Sequence, residues 1–305
     1  MNIEKIINNF FNENRIKLRK ETIRYLNDQV KPILLFLKAN KINDFNKLKY
    51  DHLLKFIENE KNKGNSNQTI NKRIMIIKRL IKYAFKENQK NTKDLNYILN
   101  FEKLKSHSNS YIRLDNIQLN KLINYYNKIN INDFYKFRLK IIIGLLLSTG
   151  VRATELLFIK IENINLNERK IYLEHTKTEQ PRVVYITNDL AKNIQNFISI
   201  YKINDFLICN IEKKPLNLNS LTCIFKRLSN KLKYSISPHK LRHTYASKQL
   251  ENGMNIEALR KIMGHTNLKT TQIYLNLNDN FIKKEFDKTC IIKWAKIVIF
   301  QIWVF

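Results

Sequence analysis

Acidic residues and cysteines are what this 305-residue chain is short of. It carries 26 Asp and Glu against 55 Lys and Arg, a formal net charge of +29. Part of the lysine excess accompanies the abundance of Asn and Ile that an A/T-rich coding sequence produces. Codon bias does not account for the missing acids. A chain this basic is expected to meet a polyanion, and neutralising a phosphate backbone is the commonest reason for such an imbalance. Nucleic acid is therefore favoured over an anionic membrane. The three cysteines, Cys209, Cys223 and Cys290, are far apart and show no Cys-x-x-Cys spacing. That argues against a disulfide framework or a zinc site and fits a reducing compartment. Met1 to Phe11 is broken by Glu4, Lys5 and several Asn and is not expected to act as a signal peptide. The most apolar run, Ile291 to Phe305, is shorter than a bilayer span and contains Lys293 and Lys296, so it is not read as transmembrane. No internal repeats occur.

What is present is organised along the chain. The length allows two domains, each with its own core. Residues 1–104 read as helical. Tyr25, Leu26, Val30, Ile33, Leu34 and Leu37 recur at helical spacing, as do Leu53, Leu54 and Ile57. A third stripe, Ile74, Ile77, Leu80, Ile81 and Ala84, is interleaved with Lys72, Arg73, Lys78, Arg79 and Lys82. It predicts an amphipathic helix with a basic outer face, a candidate for DNA phosphate contact. Residues 105–110 are small, polar and aperiodic and read as a linker. A catalytic domain is expected over 111–289, opening on a helix capped by Asp115. Ile141 to Leu147 is apolar all round and predicts a central buried helix, stopped by Thr149-Gly150. Lys170 to Glu174 and Arg182 to Thr187 alternate apolar and polar residues, which predicts a β-hairpin whose loop presents Lys177. Residues 290–305 form an apolar tail.

The chemistry lies in three clusters of the second domain. Arg152 follows the buried helix in Thr149-Gly150-Val151-Arg152-Ala153-Thr154-Glu155-Leu156. A charge at the edge of a core needs a partner, and Glu155, three residues on, is the ordinary one. His239 and Arg242 sit on one face of a helix opened by Pro238, where free N–H groups favour an anion. Gly264-His265 reads as a tight turn. Tyr274 is one of 14 tyrosines, most of which serve packing. Singly these residues have ordinary readings; together they suit a tyrosine attacking a phosphodiester held by arginines.

That set resembles the tyrosine recombinase, or phage integrase, family. Its signature is an arginine in T-G-x-R-x-x-E-L, a hairpin lysine, H-x-L-R-H, a G-H pair and T-T-x-x-Y. This chain has Thr149 to Leu156, Lys177, His239 to His243, Gly264-His265 and Thr270 to Tyr274 at the matching places. The likeness is specific over about residues 111 to 280 and looser before that. It implies a mainly α fold with a small antiparallel β-sheet: a helical, SAM-like core-binding domain and an α+β catalytic domain that clamp DNA. Tyr274 would be the nucleophile, storing the bond energy in a phosphotyrosine. Arg152 and Arg242 would grip the non-bridging oxygens, whose geometry matches planar guanidinium forks. Lys177 would protonate the departing 5′ oxygen, with Lys170 an alternative if the hairpin register differs. His239 would help move the proton from Tyr274, and His265 would hydrogen-bond the phosphate. Glu155 would orient its neighbours. Lys240, His243 and Thr270 join Lys72, Arg73, Lys78 and Arg79 as expected DNA contacts. No metal or other cofactor is implied.

Length and layout are most like the Xer-type site-specific recombinases. That resemblance implies a cytoplasmic, nucleoid-associated enzyme acting on double-stranded DNA with inverted half-sites. It further implies a homo-tetramer, or a hetero-tetramer with a second recombinase, and a DNA-translocase activator. Resolution of chromosome or plasmid dimers is the leading expectation. An integrase or transposon recombinase of a mobile element is the alternative within that chemistry, and a catalytically silent DNA-binding accessory protein the alternative outside it. The tail, with Trp294, Phe300, Trp303 and Phe305, reads either as a segment docking on a neighbouring protomer or as an altered end.

Overall fold

Helix starts in this chain are set by short polar side chains. The computed structural model describes residues 2–18, 20–85, 93–106, 113–174 and 181–264. Within them Asn2, Ser66, Asp115, Asp133, Thr187, Asn217, Ser237 and Asn255 each accept a backbone N–H from the first turn of the following helix. Each cap satisfies donors that the helix itself leaves unpaired. Part of the asparagine enrichment is thus structural, and Asp115 caps where the sequence places it. The residues cluster into two compact units, Met1–Ser108 and Asn109–Phe305.

The first unit contains α1 (Ile3–Lys17), α2 (Lys20–Ala39), α3 (Tyr50–Asn62), α4 (Asn67–Ala84) and α5 (Lys93–Asn100). The apolar stripes expected on α2, α3 and α4 meet in one core around Ile33, Phe45, Phe56, Ile70, Leu80 and Leu95. Regular helix stops at Asn100. From there the chain runs beside α4, held by Lys78 Nζ donating to the Phe101 carbonyl at 2.6 Å and Asn71 exchanging two bonds with the Leu104 backbone at 2.9 Å each.

The basic face of α4 is narrower than its sequence implies. Lys72 and Arg79 are exposed, although the Arg79 guanidinium also lies 5.7 Å from the Phe10 ring centroid. Arg73 instead turns inward and forms an ion pair with Glu60 of α3, a carboxylate with no exposure that also meets Lys63 and Asn65. Lys78 spends its ammonium on the Phe101 carbonyl, and burial together with the nearby Lys82 and Lys103 lowers its pKa. Both residues were expected to face DNA; the amphipathic pattern counts charges without seeing the buried acid or carbonyl that claims them.

The second unit contains α6 (Asn116–Asn127), α7 (Phe134–Thr149), α8 (Ala153–Leu157), β1 (Ile164–Asn165), β2 (Lys170–Leu173), β3 (Arg182–Tyr185), α9 (Asn188–Tyr201), α10 (Leu218–Leu232), α11 (Pro238–Glu251) and α12 (Ile256–Met263). As its all-round apolarity predicts, α7 is central, with Ile141, Ile142, Ile143, Leu145 and Leu146 fully buried. Phe134 and Phe137 pack on Phe197 of α9 with centroids 5.6 and 5.4 Å apart, which fastens α7 to α9. Gly150 ends α7 with φ 62°, and a Cβ there would lie 2.3 Å from Tyr245 Cδ1 of α11. Both the left-handed turn and the approach of α11 therefore require glycine.

The expected hairpin is present as β2 and β3, antiparallel, with Ile171 opposite Val184 and Leu173 opposite Arg182. A third strand, β1, pairs with β2 through Ile164 and Ile171. At two residues it is too short to leave an alternating signature. Among the described residues no helix is long and apolar enough to cross a membrane.

The α4 assignment can be checked by stability. Arg73→Ala leaves Glu60 buried without its main cation and is expected to cost about 3–5 kcal/mol. Lys72→Ala, one residue away and exposed, should stay within about 0.5 kcal/mol of wild type. Equal losses in urea denaturation would show that Arg73 is not structural.

Candidate active site

Residues far apart in sequence meet at the C-terminal end of α12. That helix is short, and its last carbonyls have no partner within it. Three arginines from three other elements supply the donors. Arg182 Nε, from β3, donates to the Ile262 carbonyl at 2.9 Å. Arg242 Nη2, from α11, donates to the Met263 carbonyl at 2.7 Å. Arg152 Nη2, at the cap of α8, donates to the Gly264 carbonyl at 3.0 Å. Three consecutive carbonyls thus each hold one guanidinium, at the helix end whose dipole favours cations. Arg242 also donates Nη1 to the Gly150 carbonyl at 2.5 Å, which joins the end of α7 to the end of α12.

Glu155 lies behind this row, 2% exposed. Arg182 grips it with both Nη atoms, at 2.7 and 2.6 Å. Arg152 reaches the same carboxylate through Nη1 at 2.8 Å and through its own backbone N–H at 2.7 Å. The backbone bond is the one that the third residue of a helix makes to its cap. Burial pushes the Glu155 pKa up, but the hydrogen bonds and charge of Arg182, then those of Arg152, outweigh it and hold the pKa at about 2. The ion pair expected between Arg152 and Glu155 is therefore present as half of a larger cluster. Gly264 closes α12 with φ 61°, and a Cβ there would lie 2.9 Å from Arg182 Nη1.

On α11, Pro238 occupies the first turn after the Ser237 cap. His239 and His243, one turn apart, stack with ring centroids 4.2 Å apart and planes 15° apart. His239 is exposed and Arg242 buried, so the two expected neighbours divide between surface and interior. Burial first, then the nearby His239 and Arg242, lower the His243 pKa to about 4, so its ring is neutral at physiological pH. Lys240 Nζ donates to the Ser235 carbonyl at 3.0 Å, beside the helix start.

The sheet register settles the orientation of Lys170. It sits opposite Tyr185 and alternates with the buried Ile171, so it faces outward, where its ammonium pairs with Glu168 at 2.7 Å. The alternative of Lys170 at the arginine row does not hold. Lys177, His265, Thr270, Tyr274 and the tail 290–305 lie outside the described residues, as does most of the linker. Lys72, Arg73, Lys78 and Arg79 belong to the first unit. Among the described residues, no group of three or more His, Cys, Asp or Glu side chains is placed to hold a metal ion.

The residue that sequence reasoning missed is Arg182. Its signal is the period of β3: Arg182, Val184 and Ile186 share one face, and the last two are buried. A charge in that phase is directed at the core and demands a partner. Chemically, three guanidinium groups against one carboxylate leave the row with two net positive charges, suited to an anion with several acceptor oxygens.

Glu155 makes the cluster sensitive to acid. Its folded pKa of about 2, below its ordinary 4.5, stabilises the fold above pH 4.5 by on the order of 3 kcal/mol. This contribution fades as the pH falls from 4.5 towards 2. Glu155→Gln should therefore be less stable than wild type by roughly that amount at pH 7, the gap narrowing below pH 4.5. A gap independent of pH in denaturant titrations would refute the assignment.

Comparison with known proteins adds the following. The phage integrase family model matches residues 112–280, and the phage integrase N-terminal SAM-like domain matches residues 8–88. The chain is 34% identical over 175 residues to tyrosine recombinase XerA of Saccharolobus solfataricus, which covers 57% of this chain and 55% of that protein. It is 30% identical to tyrosine recombinase XerD of Rickettsia prowazekii, over 82% of this chain and 84% of that one. It is 27% identical to a probable integrase/recombinase of Acholeplasma phage L2, over 94% and 98% of the two chains. Among solved structures, the Tn1549 transposon integrase in complex with transposon right-end DNA matches with TM-score 0.73 at 18% identity, covering 95% of this chain and 99% of that one. At that identity the match shows the fold.

Proposed function

This chain belongs to the phage integrase family of tyrosine recombinases, and we propose that it cuts and rejoins DNA at a specific site through a covalent 3′-phosphotyrosine on Tyr274. The observation that carries the reading is the pair Arg152 and Arg242. They stand 90 residues apart in sequence, yet their guanidinium groups hold the adjacent carbonyls of Gly264 and Met263. Those carbonyls lie one and two residues before His265, and ten and eleven residues before Tyr274 in the sequence. A phosphodiester against this row would meet two planar forks whose direction is already fixed, so little reorganisation is needed as charge builds on its non-bridging oxygens.

In this reading Tyr274 attacks the phosphorus and the 5′ oxygen leaves, so the bond energy is kept in the phosphotyrosine and neither ATP nor water is consumed. Lys177 donates the proton to the departing oxygen. His239, exposed on α11, helps carry the proton from Tyr274, whose unperturbed pKa near 10 leaves it neutral otherwise. His265 hydrogen-bonds the phosphate. The surplus of 29 positive charges supplies the long-range attraction to duplex DNA. Inverted half-sites and a tetramer of identical or paired recombinases on two sites follow from exchanging strands in pairs.

Resolution of chromosome or plasmid dimers in the cytoplasm, on nucleoid DNA and with a translocase partner, is the role favoured by the likeness to XerD. The near end-to-end likeness to the phage L2 protein supports a second role, integration or excision of a mobile element.

Covalent capture tests both. The protein is incubated with nicked, fragmented DNA from its source, denatured in SDS, and the attached DNA sequenced. Wild type should retain one enriched site, while Tyr274→Phe should bind DNA but retain none. Arg152→Ala and Arg242→Ala should each slow single-turnover attachment by about 10²–10³-fold, roughly 3–4 kcal/mol. A site on the replicon itself supports dimer resolution, and the ends of an inserted element support mobility. Firm DNA binding without any adduct would overturn the enzymatic reading.

A further inference from the structure

Arg182 has no place in the chemistry above, yet it is built into the same cluster as Arg152 and Arg242. Its three nitrogens are all committed: two to Glu155 at 2.7 and 2.6 Å, and Nε to the Ile262 carbonyl at 2.9 Å. Its side chain is 8% exposed, with every nitrogen turned to the protein. The carboxylate it grips is the one that holds the Arg152 guanidinium and backbone, and the carbonyl it holds adjoins the one taken by Arg242.

We propose that Arg182 is a positioning residue of the strand-transfer reaction, fixing Arg152 through Glu155 and the end of α12 through the Ile262 carbonyl. The proposal rests on the tyrosine chemistry inferred above and extends it to a residue that touches neither phosphate nor nucleophile. Two constraints meet in one side chain. Without Arg182, Glu155 keeps a single arginine, and the Arg152 fork loses the fixed oxygen that sets its plane. The last turn of α12 also loses one of its three external donors, two residues ahead of Gly264 and three ahead of His265. Rigid support of this kind governs whether a reacting group falls within the narrow geometry that transfer requires. Binding of duplex DNA, which depends on many phosphate contacts spread over the surface, is not expected to change much.

A pH profile separates positioning from mere folding. The charged groups described against Glu155 are Arg152 and Arg182; α11 adds Arg242 nearby, and α12 meets the cluster through main-chain carbonyls. Removing Arg182 takes away the larger of the two influences that keep Glu155 ionised. Its carboxyl then titrates closer to working pH, and protonation loosens its hold on Arg152.

The experiment measures single-turnover covalent attachment to nicked site DNA, dissociation constants and melting temperature for wild type, Tyr274→Phe, Arg182→Lys, Arg182→Gln and Arg182→Gln with Glu155→Gln. Arg182→Gln should bind DNA within about twofold of wild type and attach it about 10–100-fold more slowly. Its rate should fall further in acid, with an acid limb displaced to higher pH than that of wild type. The double variant should be slow without that displacement. Arg182→Lys keeps the charge but not the fork, so it should fold and recover only part of the rate, which keeps the test decisive if the glutamine variants unfold. Wild-type rates in a folded Arg182→Gln or Arg182→Lys would overturn the proposal alone. Absence of a Tyr274-dependent adduct in wild type would overturn the chemistry on which it rests, and the proposal with it.

Discussion

The second unit depends on one buried carboxylate. Gathering three guanidinium groups at a helix end is unfavourable in itself, since two unit charges about 5 Å apart repel by roughly 3 kcal/mol at an effective dielectric near 20. Glu155 offsets this from within, ionised and fully enclosed, by accepting from Arg152 and Arg182 at once. It could not remain charged there alone, because burying an unpaired carboxylate costs far more than protonating it. The acid and the arginines therefore require each other, which is why α8, β3 and α12 converge on one point. Their arrangement follows from that mutual requirement as much as from the apolar core beneath.

The parts of this arrangement that the sequence made legible are those written in local pattern. All-round apolarity placed α7 at the centre, and Gly150 ended it because no other residue fits both its φ and the Tyr245 ring. Alternation gave β2 and β3, and motif spacing picked out Arg152, Glu155 and Arg242. What the sequence left obscure are pairings between distant segments. Arg73 looks like Lys72 in composition, and only the folded chain shows that Glu60 claims it. Arg182 opens a strand and looks like an edge cation until the register puts it opposite Leu173. In both cases the informative quantity is the phase of a charge relative to buried neighbours, not its type. Read that way, Arg182 was within reach, whereas Glu60 and Arg73 needed the turn between α3 and α4.

The two units use their charges differently. In the first, the basic helix divides between solvent and structure: Lys72 and Arg79 stay exposed, while Arg73 and Lys78 hold α4 against α3 and the segment after α5. The chain can spend such residues on its own fold because its net charge is so large; long-range attraction to a polyanion scales with the sum of charges, not with any one. In the second unit individual positions matter, because the row's arginines are buried or half-buried and their directions fixed. Removing one exposed lysine alters a field slightly, whereas removing one buried arginine leaves an acid or a carbonyl without its partner.

This difference explains the choice of partners at the row. Had each arginine been neutralised by its own carboxylate, the cluster would be comfortable and useless, with no net charge to offer an incoming anion. Carbonyls provide the alternative. A backbone oxygen at a helix end accepts a strong, directional bond while contributing only a fraction of a charge. Ile262, Met263 and Gly264 fix three guanidinium directions in this way, and Glu155 alone removes a full unit. The row is thereby rigid yet still positive by two charges. A phosphodiester arriving there finds donors that are oriented before it binds, in a setting where Glu155 is turned away and fully occupied. Preorganised charge of this kind is what stabilises a transition state without reorganisation at the moment of reaction, and it comes from placing a helix terminus, not further acidic side chains, against the arginines.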